Sequence, residues 1–272
     1  MMKKLINIIA LFAIVATSLD SCGKIENSSQ TPGGDNPDVE ENVFPEPPTE
    51  IIQENLFKVD FLTDLSTNSQ KDIISANDIV SFIQAITEKK PLIYMIDRMD
   101  YEVGKVHPSV LVAKSLSMHP FFAQCGTTTG EIVPGTSLLT IYPIDDYDGA
   151  MCSGDSFISG CKLRAPLRQA QDLTFYTSKI ETLSQLKGLI QLKLDRLRKD
   201  SIMTGTVRRS LGAEMKQYIE NEVGSRLYLK EVEGKDYSLF VMMPPVFVCR
   251  DIEKGKIENQ LDYYRISIEK LI

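Results

Sequence analysis

Asp200-Ser201-Ile202-Met203-Thr204-Gly205-Thr206-Val207-Arg208 is the stretch on which the fold turns. It follows an amphipathic segment in which Leu186, Leu189, Ile190, Leu194 and Leu197 recur at helical spacing. A short apolar run that reaches a glycine directly after such a helix reads as a strand of an α/β domain. Strands of that kind carry side chains to the carboxyl edge of a sheet, where ligands are usually held. What this strand delivers is Thr206 and Arg208. Neither is a good ligand for a hard cation or a general base.

Working outward, the remaining segments alternate. Residues 57–62 read as a strand and 77–89 as a helix with Ile79, Val80, Ile83 and Ile86 on one face, stopped by Pro91. Strands are predicted at 92–96, 109–113, 136–142 (closed by Pro143) and 173–177. The Gly, Asp and Ser content of 145–160 predicts a long surface loop. Ser184 is the expected cap of the amphipathic helix, whose Lys187, Lys193, Arg196 and Arg198 form its wet face. Ser210 is expected to cap a further helix with Leu211, Met215, Tyr218 and Ile219 inward and Gly224 past its end. Strands at 237–242, 246–249 and 264–269 complete the chain. Several strands neighbour one another and alternate strongly between apolar and polar, which points to sheet packed on sheet with helices outside, a four-layer α/β/β/α sandwich. A doubly wound α/β sheet is the alternative.

The chain has 272 residues, 43% of them hydrophobic and 25% charged, enough for one large domain with extensions. A net charge of -7 argues against nucleic acid as a partner, since phosphate affinity needs clustered Lys and Arg. Lys3 and Lys4 precede an apolar run from Leu5 to Ala16 and small residues up to Cys22, the pattern of an export signal over residues 1–21. The uncharged run is short of the roughly 20 residues needed to span a bilayer. Leu19-Asp20-Ser21-Cys22-Gly23 resembles the lipobox of bacterial lipoproteins, although Asp20 departs from the small residue usual there. The resemblance implies lipid attachment at Cys22, a membrane anchor without a spanning helix, and a place in the cell envelope, on the outer membrane facing the periplasm or the exterior. Residues 22–54 are rich in Ser, Asn, Gly, Pro and acids, hold few apolar side chains, and read as a disordered acidic tether. The folded domain is expected over 55–272.

Taken in order, the domain's segments resemble the endonuclease/exonuclease/phosphatase superfamily, the DNase I-like fold. Gly135-Thr136-Ser137-Leu138-Leu139-Thr140-Ile141-Tyr142-Pro143-Ile144 is the best single match, to a stretch that carries structure. Lys58-Val59-Asp60-Phe61-Leu62 looks like the first strand, with Leu62 where the family has a metal-site Asn. Asp97-Arg98 stands for the Gln-Glu whose Glu holds Mg²⁺, and Ser178-Lys179-Ile180 for the Thr-His-Leu with a catalytic His. Thr206 and Arg208 take the places of the Asp and Asn of Gly-Asp-Phe-Asn. Residues 235–241 look like the Asp-Tyr-Ile-Phe-Val strand, and Asp262-Tyr263 stands for the closing Asp-His.

Phosphodiester cleavage in that family needs carboxylates to fix Mg²⁺ and a His with an Asp to activate water. Arg98 repels a divalent ion, and Lys179 is normally protonated near neutral pH. His107 and His119, the only histidines, lie on no matching motif. The resemblance therefore implies a scaffold without its catalytic set, no resident cofactor, and a cleft in which Arg98, Lys179, Thr206, Arg208, Asp262 and Tyr263 face a ligand. Converging cations would suit a sulfate, phosphate or carboxylate, or an envelope or extracellular partner; ordinary solvated charges are the other reading. The competing class is a divergent Mg²⁺-dependent phosphodiesterase rebuilt on Asp60, Asp97, Asp100 and Asp262. An unrelated α/β surface protein with a structural or adhesive role is a third. Asp145, Asp146, Asp148 and Asp155 lack the glycine and distal Glu of a calcium loop and read as an acidic loop. Cys125, Cys152, Cys161 and Cys249 are an even number in an exported chain, with Cys152 to Cys161 the first candidate disulfide of three connectivities.

Overall fold

The computed structural model describes residues 23–24, 56–62, 76–86, 93–96, 99–124, 130–151, 156–164, 172–256 and 262–271. Six strands form one sheet in the order β14 (Phe247–Lys256), β15 (Asp262–Lys270), β2 (Leu56–Leu62), β3 (Ile93–Ile96), β7 (Gly135–Thr140) and β5 (His119–Gln124). Seven form the other, in the order β1 (Gly23–Lys24), β8 (Ile144–Met151), β9 (Phe157–Leu163), β10 (Leu173–Ile180), β11 (Ser201–Arg208), β13 (Tyr237–Met243) and β12 (Arg226–Glu231). A small ribbon pairs β4 (Tyr101–Glu102) with β6 (Ile132–Val133). Within the expected tether, Gly23–Lys24 lies beside Met151 and Ala150 at a sheet edge; 25–54 lie outside the described residues.

Three apolar clusters explain why these strands stack. Val59, Phe61, Ile93, Met95, Leu138 and Ile266 of the first sheet meet Leu163, Phe175, Ile202, Leu239 and Val241 of the second. The first sheet's other face buries Leu62, Tyr94, Ile96 and Leu139 under Ile79 and Ile83 of α1 (Ala76–Ile86) and Val112 of α2 (Pro108–Leu116). The second sheet's outer face buries Tyr176, Ile180, Met203, Val207 and Phe240 under Leu186, Leu189 and Ile190 of α3 (Leu183–Leu197) and Met215 of α4 (Gly212–Tyr218). Adjacent residues such as Ile202 and Met203 enter different clusters because a strand's side chains alternate between faces. The result is the four-layer α/β/β/α sandwich, not a doubly wound sheet.

Several local expectations are corrected. Residues 109–113 are helical, not a strand: the Ser109 amide donates to Nδ1 of His107, the N-cap, and Pro108 takes the first turn, where its missing N–H costs nothing. Residues 145–160 are not one long loop, for β8 and β9 pair as antiparallel strands, Tyr147 opposite Cys161. The cap of α3 is Thr182, whose hydroxyl accepts from the Gln185 amide at 3.3 Å, and not Ser184. Ser210 lies in a 3-10 turn (Arg209–Leu211) ahead of α4 and makes no capping hydrogen bond, while Gly224, with φ +76, does close the following π turn. Lys193 is buried rather than wet, paired with Asp148, whose other oxygen accepts from the Tyr176 hydroxyl at 2.6 Å. Arg198 donates to the carbonyls of Val223 and Glu222, so that residue too is partly spent on the fold. The Cys161 thiol is free, fully buried between the sheets and pushed up in pKa by that burial. Cys152, its expected partner, lies outside the described residues, as do Cys22 and Cys125.

Candidate functional site

Only two strand pairs among the described residues are parallel, β2 with β3 and β10 with β11, and both open at the same end of the sandwich. The join between them is visible: the Thr136 hydroxyl donates to the Ile96 carbonyl at 2.8 Å and lies 3.4 Å from the Thr177 hydroxyl of the facing sheet. On β10 and β11, Lys179 stands opposite Thr206 and Thr177 opposite Thr204. Alternation puts these four, with Arg208, on the same side as Phe175 and Ile202, toward the other sheet. Thr204 shows it directly, its hydroxyl 2.9 Å from the Met95 sulfur across the interface.

Lys179, Thr206 and Arg208 thus share one side at the ends of these two strands. Thr206 is buried, Lys179 half-exposed with Glu181 3.9 Å from its ammonium, and Arg208 exposed. Below them lies a floor of hydroxyls that the sequence reading missed: Thr136, Thr177, Thr204 and Ser159, the last opposite Thr177 and with no partner for its buried oxygen among the described residues. The signal that could have found it is the alternation of Thr177 with Lys179 and of Thr204 with Thr206. Ser178 points the other way and donates to the Phe157 carbonyl at 2.6 Å. Such an arrangement can bind an anion through charge-assisted and hydroxyl hydrogen bonds.

Two other predicted site residues, Asp60 and Tyr263, fall elsewhere. Asp60 is fully buried on the opposite face of its strand, where Arg265 holds both of its oxygens at 2.9 Å, so it is not a metal ligand facing the cleft. Tyr263 is also on that face, packed against the outer cluster with its ring over Gly255, and does not line the cleft. Asp100 is near the site end, its carboxylate accepting from the Gly135 amide at 3.2 Å. Asp97, Arg98 and Asp155 lie outside the described residues; Asp262 begins β15. Leu62 is buried among the apolar side chains under α1. Among the described residues no three His, Cys, Asp or Glu side chains stand within reach of one cation.

His107 is a folding residue. Its ring sits against Phe122 and Tyr101, centroids 3.7 and 4.7 Å away, and burial lowers its pKa to about 3. The unfolded chain takes up a proton near pH 6.5 that the folded chain resists, so stability falls as pH drops below 6.5. The expected slope, from urea midpoints between pH 6.5 and 4, is about 1 kcal/mol per pH unit from this residue. His107→Gln should remove that component, and an unchanged slope would refute it.

No family model and no curated protein matches the chain. Solved structures do. An endonuclease/exonuclease/phosphatase from Beutenbergia cavernae superposes with a TM-score of 0.54 at 8% identity, over 79% of this chain and 72% of that one. An endonuclease/exonuclease/phosphatase family protein from Leptotrichia buccalis gives a TM-score of 0.55 at 11% identity, over 78% of this chain and 99% of that one. The domain has the DNase I-like fold. The fold accounts for the two parallel strand pairs, and the ends of β10 and β11 carry the basic Lys179, the buried Thr206 and the exposed Arg208.

Proposed function

We propose that this chain is an exported lipoprotein, anchored through Cys22 to the outer membrane, whose DNase I-like domain binds an anionic ligand or an anionic group on an envelope partner without catalysing phosphodiester cleavage. The observation that supports this most is Lys179 set opposite the buried Thr206 at the ends of the two central parallel strands. That is where the resemblance calls for a His and an Asp. A cation and a hydroxyl there favour holding an anion over activating water. The competing phosphodiesterase reading draws on Asp100, which stands near the same end, and on Asp97, three residues before it in sequence.

The test is Mg²⁺ and Mn²⁺ calorimetry on the whole chain, with bis(p-nitrophenyl) phosphate turnover in the same samples. Neither binding nor turnover is expected. Inorganic phosphate or sulfate should bind, and Lys179→Ala or Arg208→Ala should weaken it by roughly fivefold to tenfold, the scale of one partly exposed charge-assisted contact. Metal binding with turnover that Asp97→Ala abolishes would replace this reading with the enzyme.

A further inference from the structure

Eight large apolar side chains are exposed among the described residues, and four of them fall within nine residues: Val103 (56% exposed), Val106 (61%), Val110 (40%) and Leu111 (43%). The segment that carries them is well held. The Val103 amide donates to the Glu131 carbonyl at 2.7 Å, Gly104 turns the chain at φ +80, and the Lys105 amide donates to the Glu102 carbonyl at 3.1 Å. His107 then caps α2 while its ring wedges against Tyr101 and Phe122. Pro108, Ser109, Val112 and Ala113 turn inward, which leaves Val110, Leu111 and Lys114 on the outer side of the helix. The aliphatic tip is therefore displayed by a fixed turn and a capped helix, and exposed apolar groups gathered in this way mark a contact surface.

Charge identifies what it contacts. The chain carries a net charge of -7, yet residues 103–130 contain Lys105 and Lys114 and no Asp or Glu. Of the flanking acids, Glu102 sits on the ribbon at the base of the tip and Glu131 directly precedes its second strand. Small aliphatic side chains beside lysines suit shallow insertion at a bilayer surface bearing anionic headgroups. We infer that Val103, Val106, Val110 and Leu111 enter the membrane interface, with Lys105 and Lys114 at the headgroups, and so hold the domain against the bilayer in one orientation. The inference rests on the proposed membrane anchor for delivery, and on the tip itself for contact.

The chain has no tryptophan, so a single introduced one is an unambiguous reporter. Val106→Trp and Leu111→Trp place it at the tip; Leu192→Trp, an exposed position on α3 over the other sheet, is the reference. The whole chain is mixed in detergent with vesicles of three parts phosphatidylcholine to one part phosphatidylglycerol, some containing brominated lipid, and the detergent is removed. Tip reporters should shift to the blue and be quenched roughly threefold more than the reference, and Lys105→Glu with Lys114→Glu should reduce that difference. Equal quenching at the tip and at Leu192 would overturn the inference and leave a protein partner as the occupant. Flotation of the same samples tests the anchor separately: flotation without tip quenching overturns the tip alone, and tip quenching at high lipid without stable flotation overturns the anchor alone.

Discussion

Gly205→Ala is expected to abolish folding or to cost about 4 kcal/mol or more. A Cβ on Gly205 would lie 1.7 Å from the carbonyl oxygen of Ser178 and 2.9 Å from its nitrogen. These are backbone atoms of β10, the parallel neighbour, and no rotamer change can move them. Nor can β10 retreat as a body, for on its other edge a Cβ on Gly160 would meet the Phe175 oxygen at 1.9 Å. Relief requires parting the two strands that place Lys179 opposite Thr206, so loss of stability and loss of the anion site should come together. Urea unfolding followed by circular dichroism reads the first. Gly224→Ala is the control: φ is +76 but the space is open, and the expected cost is about 1 kcal/mol. Equal, small effects at both positions would show that the close approach at Gly205 is wrong.

The layers of this fold were legible because apolar residues repeat with the periods of the elements. Ile202 and Met203 go to different faces as a strand demands, and Leu186, Leu189 and Ile190 fall on one face as a helix demands. Errors came where the partner is far away in sequence or the local signal is ambiguous. Asp145 and Asp146 look like a loop because β8 has only the two-residue β1 on its outer side and can keep these acids exposed. The run at 109–113 is too short to separate strand from helix by period alone, and the proline that settles it precedes the run. Lys193 resembles any wet-face lysine until Asp148, 45 positions earlier, is placed beneath it. At the site, Lys179, Thr206 and Arg208 follow from their order along two strands. The hydroxyl floor does not, since Thr136, Ser159, Thr177 and Thr204 come from four strands that only the packing of two sheets brings together.

Asp60 carries the other large effect. Its carboxylate is fully buried, and the Arg265 guanidinium that embraces it is itself mostly enclosed, 5.9 Å from the Tyr263 ring. The two residues are 205 positions apart, so sequence order offers no hint of the pair and leaves Asp60 looking like a spare metal ligand. Removing one member of such a pair leaves a buried charge without its counterion. Asp60→Ala should therefore lower the unfolding free energy by about 3–5 kcal/mol, and Asp60→Asn should fail to rescue it fully because the amide keeps only part of the two-pronged contact. Adding Arg265→Met to Asp60→Ala should recover much of the loss, since the remaining charge goes with it. A metal ligand would behave in the opposite way: Asp60→Ala would unfold near the parent's urea midpoint, and any Mg²⁺-induced stabilisation of the parent would disappear. Because Asp60 faces α1 and α2 while Lys179 and Thr206 face the space between the sheets, the first pattern with anion binding retained would assign Asp60 to the fold and leave the cleft to the hydroxyls and cations.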